Sequence, residues 1–182
     1  MLSGKKYKTL LGAALLTGFL VIQILILTGC GYRATPGGEY IDKSIQTVFV
    51  DNFGNRTSEA SVENMIRSAL IDQFIKGRRL KLVDRRELAD ALCRGSIDGV
   101  TTAPLSYSKD NLAAEERITV TIEIILEEQA AGKVIWTDKS FSATQDYQFT
   151  DMTTRERNRK FALGKLSNDS AEKAYRLMMS GF

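Results

Sequence analysis

The chain of 182 residues offers few side chains for covalent chemistry. It has no histidine, so the commonest general base, proton shuttle and metal ligand is missing. Cys30 and Cys93 are its only thiols, too far apart in sequence for a CxxC pair and too few for a Cys/His metal site. Alternation in "ALCRGSIDGV" puts Cys93 on one face with Ala91 and Ile97, as a small buried hydrophobe rather than a reactive thiol. Carboxylates occur side by side, as Glu115/Glu116 and Glu127/Glu128. Neighbours in a strand face opposite ways, so the second pair makes no acid/base dyad. The inventory argues against an enzyme, a metal centre or a bound cofactor. It leaves Cys30 as a point of attachment and scattered cations as points of binding.

Cys30 ends an unusual leader. Lys5, Lys6 and Lys8 precede "TLLGAALLTGFLVIQILIL", residues 9–27, which carries no charge. As a helix this run would be roughly 28 Å long, close to the roughly 30 Å hydrocarbon core, so it fits a permanent membrane anchor. It also fits a cleaved secretory leader with a basic start and a long apolar middle. Leu27-Thr28-Gly29-Cys30 resembles the lipobox of bacterial lipoproteins: leucine, two small residues, then the cysteine that receives diacylglycerol. This favours cleavage before Cys30 and diacylglycerol plus an N-acyl chain such as palmitate upon it, each buried CH₂ holding by about 0.8 kcal/mol. Gly31, rather than an aspartate that resembles an inner-membrane retention signal, points to the outer membrane, facing the periplasm.

The expected division is a signal peptide over 1–29, a lipidated tether over 30–44 with Gly37-Gly38 inside it, and one domain over 45–182. Loss of the leader leaves 22 basic and 22 acidic side chains. A neutral body is not built to bind nucleic acid by bulk electrostatics.

The elements that would position these residues follow from periodicity. "SIQTVFVDNF" reads as a first strand, and "NFGNRTS" as a turn with a Ser/Thr helix cap. Val62, Met65, Ile66, Ala69, Leu70 and Phe74 form the apolar stripe of a helix stopped by Gly77. "RLKLV" and "ALCRGSIDGV" read as one strand interrupted around residues 84–90. Ile118, Val120, Ile122, Ile124 and Leu126 alternate with Thr119, Thr121 and Glu123, the pattern of a sheet solvated on one face. "QAAGK" turns into the bulged return strand "VIWTDKSFSA", and Thr153-x-x-Glu156 has the spacing of a capping box for the last helix. Leu163, Leu166, Ala174, Leu177 and Met178 line that helix.

The order is β-α-β-β-β-α: an α+β two-layer sandwich, with two helices on one face of a four-stranded mixed sheet. A right-handed crossover then collects the turn at 52–57, a loop at 102–116 and the link at 146–153 at one end. Arg56, Lys109 and Arg155 share that end, while Lys76, Arg78 and Arg79 lie at the other as a solvated corner. Trp136 and Tyr107 suit either a partner surface or the closing of a sheet edge.

Cys30-Gly31-Tyr32-Arg33, then a strand into Phe53-x-Asn55-Arg56-Thr57, resembles the LptE family of lipopolysaccharide-assembly lipoproteins. Gly95-x-Ile97, Pro104-Leu105-Ser106-Tyr107 and Gly132-Lys133-Val134-Ile135-Trp136 add to the likeness, in order, from Leu27 onward. The resemblance implies a non-enzymatic outer-membrane lipoprotein seated in the lumen of the β-barrel LptD. There it would support barrel assembly and receive lipopolysaccharide at the last transport step. By loop placement the lipid-contacting positions would fall near Lys109 and Arg155, with Arg56 at the same end. A cation there suits a lipid A phosphate, arginine most of all; the same cations also fit ordinary solvated loop charges. A strand leading into Asn-Arg-Thr and a helix is similar, too, to outer-membrane lipoproteins that activate peptidoglycan synthases or form secretion channels.

Overall fold

The computed structural model describes residues 40–107 and 113–181; Leu27, Thr28, Gly29, Cys30 and Lys109 lie outside the described residues. Strand β1 (Thr47–Val50) leads through a short β2 (Gly54–Asn55) to helix α1 (Val62–Gly77). Then come β3 (Lys81–Leu82), a turn of 3₁₀ helix (Arg86–Leu88), the long strands β4 (Ala91–Tyr107), β5 (Ala113–Glu128) and β6 (Val134–Gln148), and helix α2 (Met152–Ser180).

The sheet has six strands rather than four, in the order β3-β1-β4-β5-β6, with β2 pairing β4 alongside. β1 lies parallel to both β3 and β4, whereas β4, β5 and β6 are antiparallel, so the sheet is mixed as expected. The strand expected to be interrupted is two strands on opposite sides of β1. The two-residue β3 and β2 are too short for a two-residue period to mark them.

Alternation decides which face is covered. Ile118, Val120, Ile122, Ile124 and Leu126 of β5 are buried, and they share one core with Val62, Ile66, Leu70 and Phe74 of α1 and Leu163, Leu166, Ala174 and Met178 of α2. Cys93 and Trp136 belong to this core as well. The helices run side by side in the same direction, Arg159 of α2 meeting Glu59 just before α1 and Tyr175 meeting Phe74 near its end.

Three local expectations are corrected. Residues 102–107 and 113–116 are strand rather than loop: Thr102 pairs with Ile118 and Pro104 with Glu116, and the pairing reaches Tyr107 and Ala113. Pro104 is tolerated because β2 ends opposite Ile97, leaving that side of β4 open, and the register shifts immediately after it. The cap of α2 is Asp151, not Thr153. Its Oδ1 accepts from the Thr154 amide at 2.9 Å while its own amide donates to Thr154 Oγ1 at 3.0 Å, placing an anion at the positive helix end. At the end of α1 it is Arg78, at φ 54°, that turns left-handed, not Gly77. Gly77 is needed for a different reason: a Cβ there would overlap the Tyr175 hydroxyl.

Candidate functional site

The segment Phe53–Thr57 builds the turn at one end of the sheet. Phe53 is buried with its ring over Gly95, where a Cβ would strike both that ring and the Glu123 carbonyl oxygen. Asn55 then holds the turn through both ends of its amide. Its Oδ1 accepts from the Thr57 amide and hydroxyl at 2.9 and 2.8 Å, and its Nδ2 donates to the Glu59 carbonyl and to Glu63 Oε2 at 2.7 Å each. An amide is the side chain that both accepts and donates here. Arg56 is pinned by its own amide to the Ile97 carbonyl at 2.9 Å and presents its guanidinium to Asp98 at 3.0 Å, two-thirds exposed.

The first turns of α2 tie this end together. Arg155 grips Glu116 of β5 with Nε at 3.0 Å and Nη2 at 2.8 Å, and its guanidinium lies 5.6 Å from the centroid of Phe149. The Tyr147 hydroxyl also donates to Glu116, which is only 6% exposed. One helical turn on, Arg159 holds Glu59 through two bonds of 2.7 and 2.6 Å. The chain of contacts runs from β5 and β6 through α2 to the turn that carries Arg56.

Electrostatics follow from this geometry. Burial pushes the Glu116 carboxyl up, but the bonds from Arg155 and Tyr147 outweigh it and the net shift is downward, so Glu116 is ionised. Burial and the adjacent Glu116 raise the Tyr147 hydroxyl to about 12, keeping it a donor. The Arg159 hydrogen bonds hold Glu59 below the usual carboxylate range. Arg56, Arg155 and Arg159 are each paired with a carboxylate, Asp98, Glu116 and Glu59 in turn.

Of the residues expected to meet an anionic ligand, Arg56 and Arg155 are therefore brought to the same end, each already bonded to a carboxylate. Sequence reasoning missed Glu116, Tyr147, Glu59 and Arg159. The signal available was the i,i+4 spacing of Arg155 and Arg159 in a helix start rich in cations, with Arg157 and Lys160 beside them and Glu156 as its one acid. The segment Pro104–Tyr107 carries no core: Leu105 and Tyr107 are exposed near the end of the β4–β5 hairpin. By contrast Gly132, at φ 64°, makes the β5–β6 turn, and Trp136 is buried rather than offered to a partner. Cys93 is fully buried, and desolvation pushes its thiol up to about 12. Among the described residues no group of acidic or cysteine side chains is arranged to hold a metal, and no helix is long and apolar enough to cross a membrane.

The sheet face away from the helices is polar. Thr101, Thr119 and Thr144 stand side by side across β4, β5 and β6, and Thr121 pairs with Ser142. The ion pairs Arg94–Glu127 and Arg117–Asp146 flank them and cancel their own charge.

Comparison with solved structures finds the same fold elsewhere. Lipoprotein B from Nitrosomonas europaea is similar in structure at 15% identity, with a TM-score of 0.54 over 75% of this chain and 84% of that one. The Chlamydia trachomatis protein CT253 is similar at 10% identity, with a TM-score of 0.54 over 75% of this chain and 97% of that one. Such likenesses show a shared fold. No curated protein matches the sequence. The model of the lipopolysaccharide-assembly family LptE matches residues 45–178, nearly the whole described domain. The chain belongs to the LptE family of lipopolysaccharide-assembly proteins.

Proposed function

We propose that the protein is a lipoprotein of the outer membrane, held by acyl chains on Cys30 after cleavage behind Leu27-Thr28-Gly29 and facing the periplasm. It supports assembly of an LptD-type β-barrel and receives lipopolysaccharide at the last step of transport to the surface, with no covalent chemistry of its own. The observation that carries this reading is the family match over residues 45–178.

Physical features support it. The interior of a wide membrane barrel is polar, and a domain of balanced charge with a hydroxyl-rich open sheet face suits such a lumen. The chain enters the domain at Tyr40, against Gly181 at the end of α2. Arg155 stands at the other end of that 29-residue helix, roughly 40 Å away at 1.5 Å per residue. The end carrying Arg56, Arg155 and the Leu105/Tyr107 hairpin is thus the one remote from Tyr40. Arg155 and Arg56 supply cations there for lipid A phosphates, and Lys109 is proposed to act with them.

Replacing Lys109 and Arg56 together by aspartate tests the lipid role without breaking the Arg155–Glu116 pair. Lipopolysaccharide binding by the full chain in neutral detergent should fall about tenfold or more with the thermal midpoint retained, since each lost charged contact is worth about 1–2 kcal/mol. Unchanged binding would remove these cations from the account.

A further inference from the structure

Helix α2 contains two choices that the fold does not require. Phe161 is 72% exposed although the inward side of the helix is filled by Ala162, Leu163 and Leu166. Gly164 sits in the helix interior, where glycine weakens a helix relative to alanine. Gly77 and Gly95 are forced, because a Cβ would collide with a neighbour. At Gly164 the nearest foreign atom to a Cβ would be the Met65 methyl at 3.7 Å, an ordinary contact. The missing side chain buys no packing.

What it does is open a groove between α1 and α2, about 690 Å³ in volume. Its apolar surface comes from Met65, Phe161 and the bare backbone at Gly164; its rim carries Arg157, Lys160 and Lys165. Lys165 is held by Asp169 at 2.5 Å. Among the described residues neither Arg157 nor Lys160 has a carboxylate within salt-bridge reach, whereas Arg155, Arg159 and Arg56 all do. The groove thus has an apolar bed, an excess of positive charge at its edge, and a volume within the usual range for a small-molecule site.

We infer that this groove binds an anionic amphiphile, an acyl chain lying on Met65 and Phe161 with a phosphate between Arg157 and Lys160, which is the chemistry of lipid A. The guanidinium of Arg157 suits bidentate bonds to phosphate, and Lys160 adds a point charge. The identification with lipid A rests on the proposed receipt of lipopolysaccharide, but it names a site on the helix pair, away from the cations expected from the sequence.

The test uses the full chain in neutral detergent, with fluorescent lipid A, its dephosphorylated form, and dodecyl phosphate as a minimal probe. Gly164→Leu fills the groove while favouring the helix, and Arg157→Glu with Lys160→Glu reverses the rim; thermal midpoints report the fold. The expected result is at least a tenfold loss of lipid A binding in Gly164→Leu at an undiminished midpoint. The charge-reversed pair should lose the preference for phosphorylated over dephosphorylated lipid. Wild-type binding of lipid A that neither change affects overturns the groove and leaves receipt of lipopolysaccharide standing. Dodecyl phosphate binding that Gly164→Leu abolishes, with no binding of lipid A, upholds an amphiphile groove and overturns that receipt. Binding of neither probe by the wild type overturns both.

Discussion

Arg155 and Glu116, 39 residues apart in sequence, meet through two hydrogen bonds of 3.0 and 2.8 Å that fasten the first turn of α2 to β5. The carboxylate is nearly buried and the guanidinium about a third exposed. Removing one partner strands a charge. Arg155→Met should therefore cost about 2–3 kcal/mol, the lower edge for a buried pair because Arg155 remains partly solvated. Urea unfolding of the single variant and of Arg155→Met with Glu116→Gln measures this. The double variant should recover part of the loss, because no unpaired carboxylate remains buried.

The same pair makes stability depend on pH. Glu116 has a folded pKa below its ordinary value, so its contribution is full above the ordinary carboxylate range. It is lost as pH falls through the lowered folded value. The difference in urea midpoint between wild type and Glu116→Gln should be constant from neutrality down to about pH 5 and shrink progressively below it. A difference that grows on acidification would contradict the ion pair.

Phe53 and Gly95 make a second demand that sequence spacing alone does not express. A Cβ at Gly95 meets a backbone carbonyl and a buried ring, neither free to move far. Gly95→Ala should lower stability by about 2–3 kcal/mol, as overpacking does. Gly99→Ala on the same strand meets nothing nearer than 3.8 Å and should change stability by no more than about 0.5 kcal/mol. Paired denaturation curves distinguish the two.

Cys93 should be chemically silent. Its thiol is fully buried and raised to about 12 by desolvation, so little thiolate exists at pH 8 and none is accessible. Labelling by a maleimide should be negligible in the native protein and complete in denaturant. Rapid native labelling would contradict this placement.

Much of this architecture is written in local pattern. The β5 alternation from Ile118 to Leu126 and the α1 stripe from Val62 to Phe74 each sit on the core face that their periods require. Less legible was whatever depends on partners distant in sequence. β2 and β3 exist because β4 and β1 offer them edges, and two residues have no period. The continuation of β4 past Thr101 was hidden by threonines and Pro104, residues that suit a solvent-facing hairpin and read equally as a loop. Arg155 was legible as a cation at the right end, but Glu116 as its partner was not, since no local rule joins them. Thr153-x-x-Glu156 had a capping spacing, yet Asp151 won because its carboxylate accepts the Thr154 amide while Thr154 returns the bond.

The polar sheet face, the hairpin with exposed Leu105 and Tyr107, and the family match support the proposed barrel partner. The most direct measurement is affinity purification of the full chain from detergent-solubilised outer membranes, with Cys30→Ala compared, and quantification of what comes with it. The account predicts one large β-barrel protein at roughly one-to-one stoichiometry, reduced when Cys30 is replaced because the anchor is lost. Recovery of a peptidoglycan synthase or a self-assembled ring in its place, or of an intact N-terminus still carrying the leader, would contradict it.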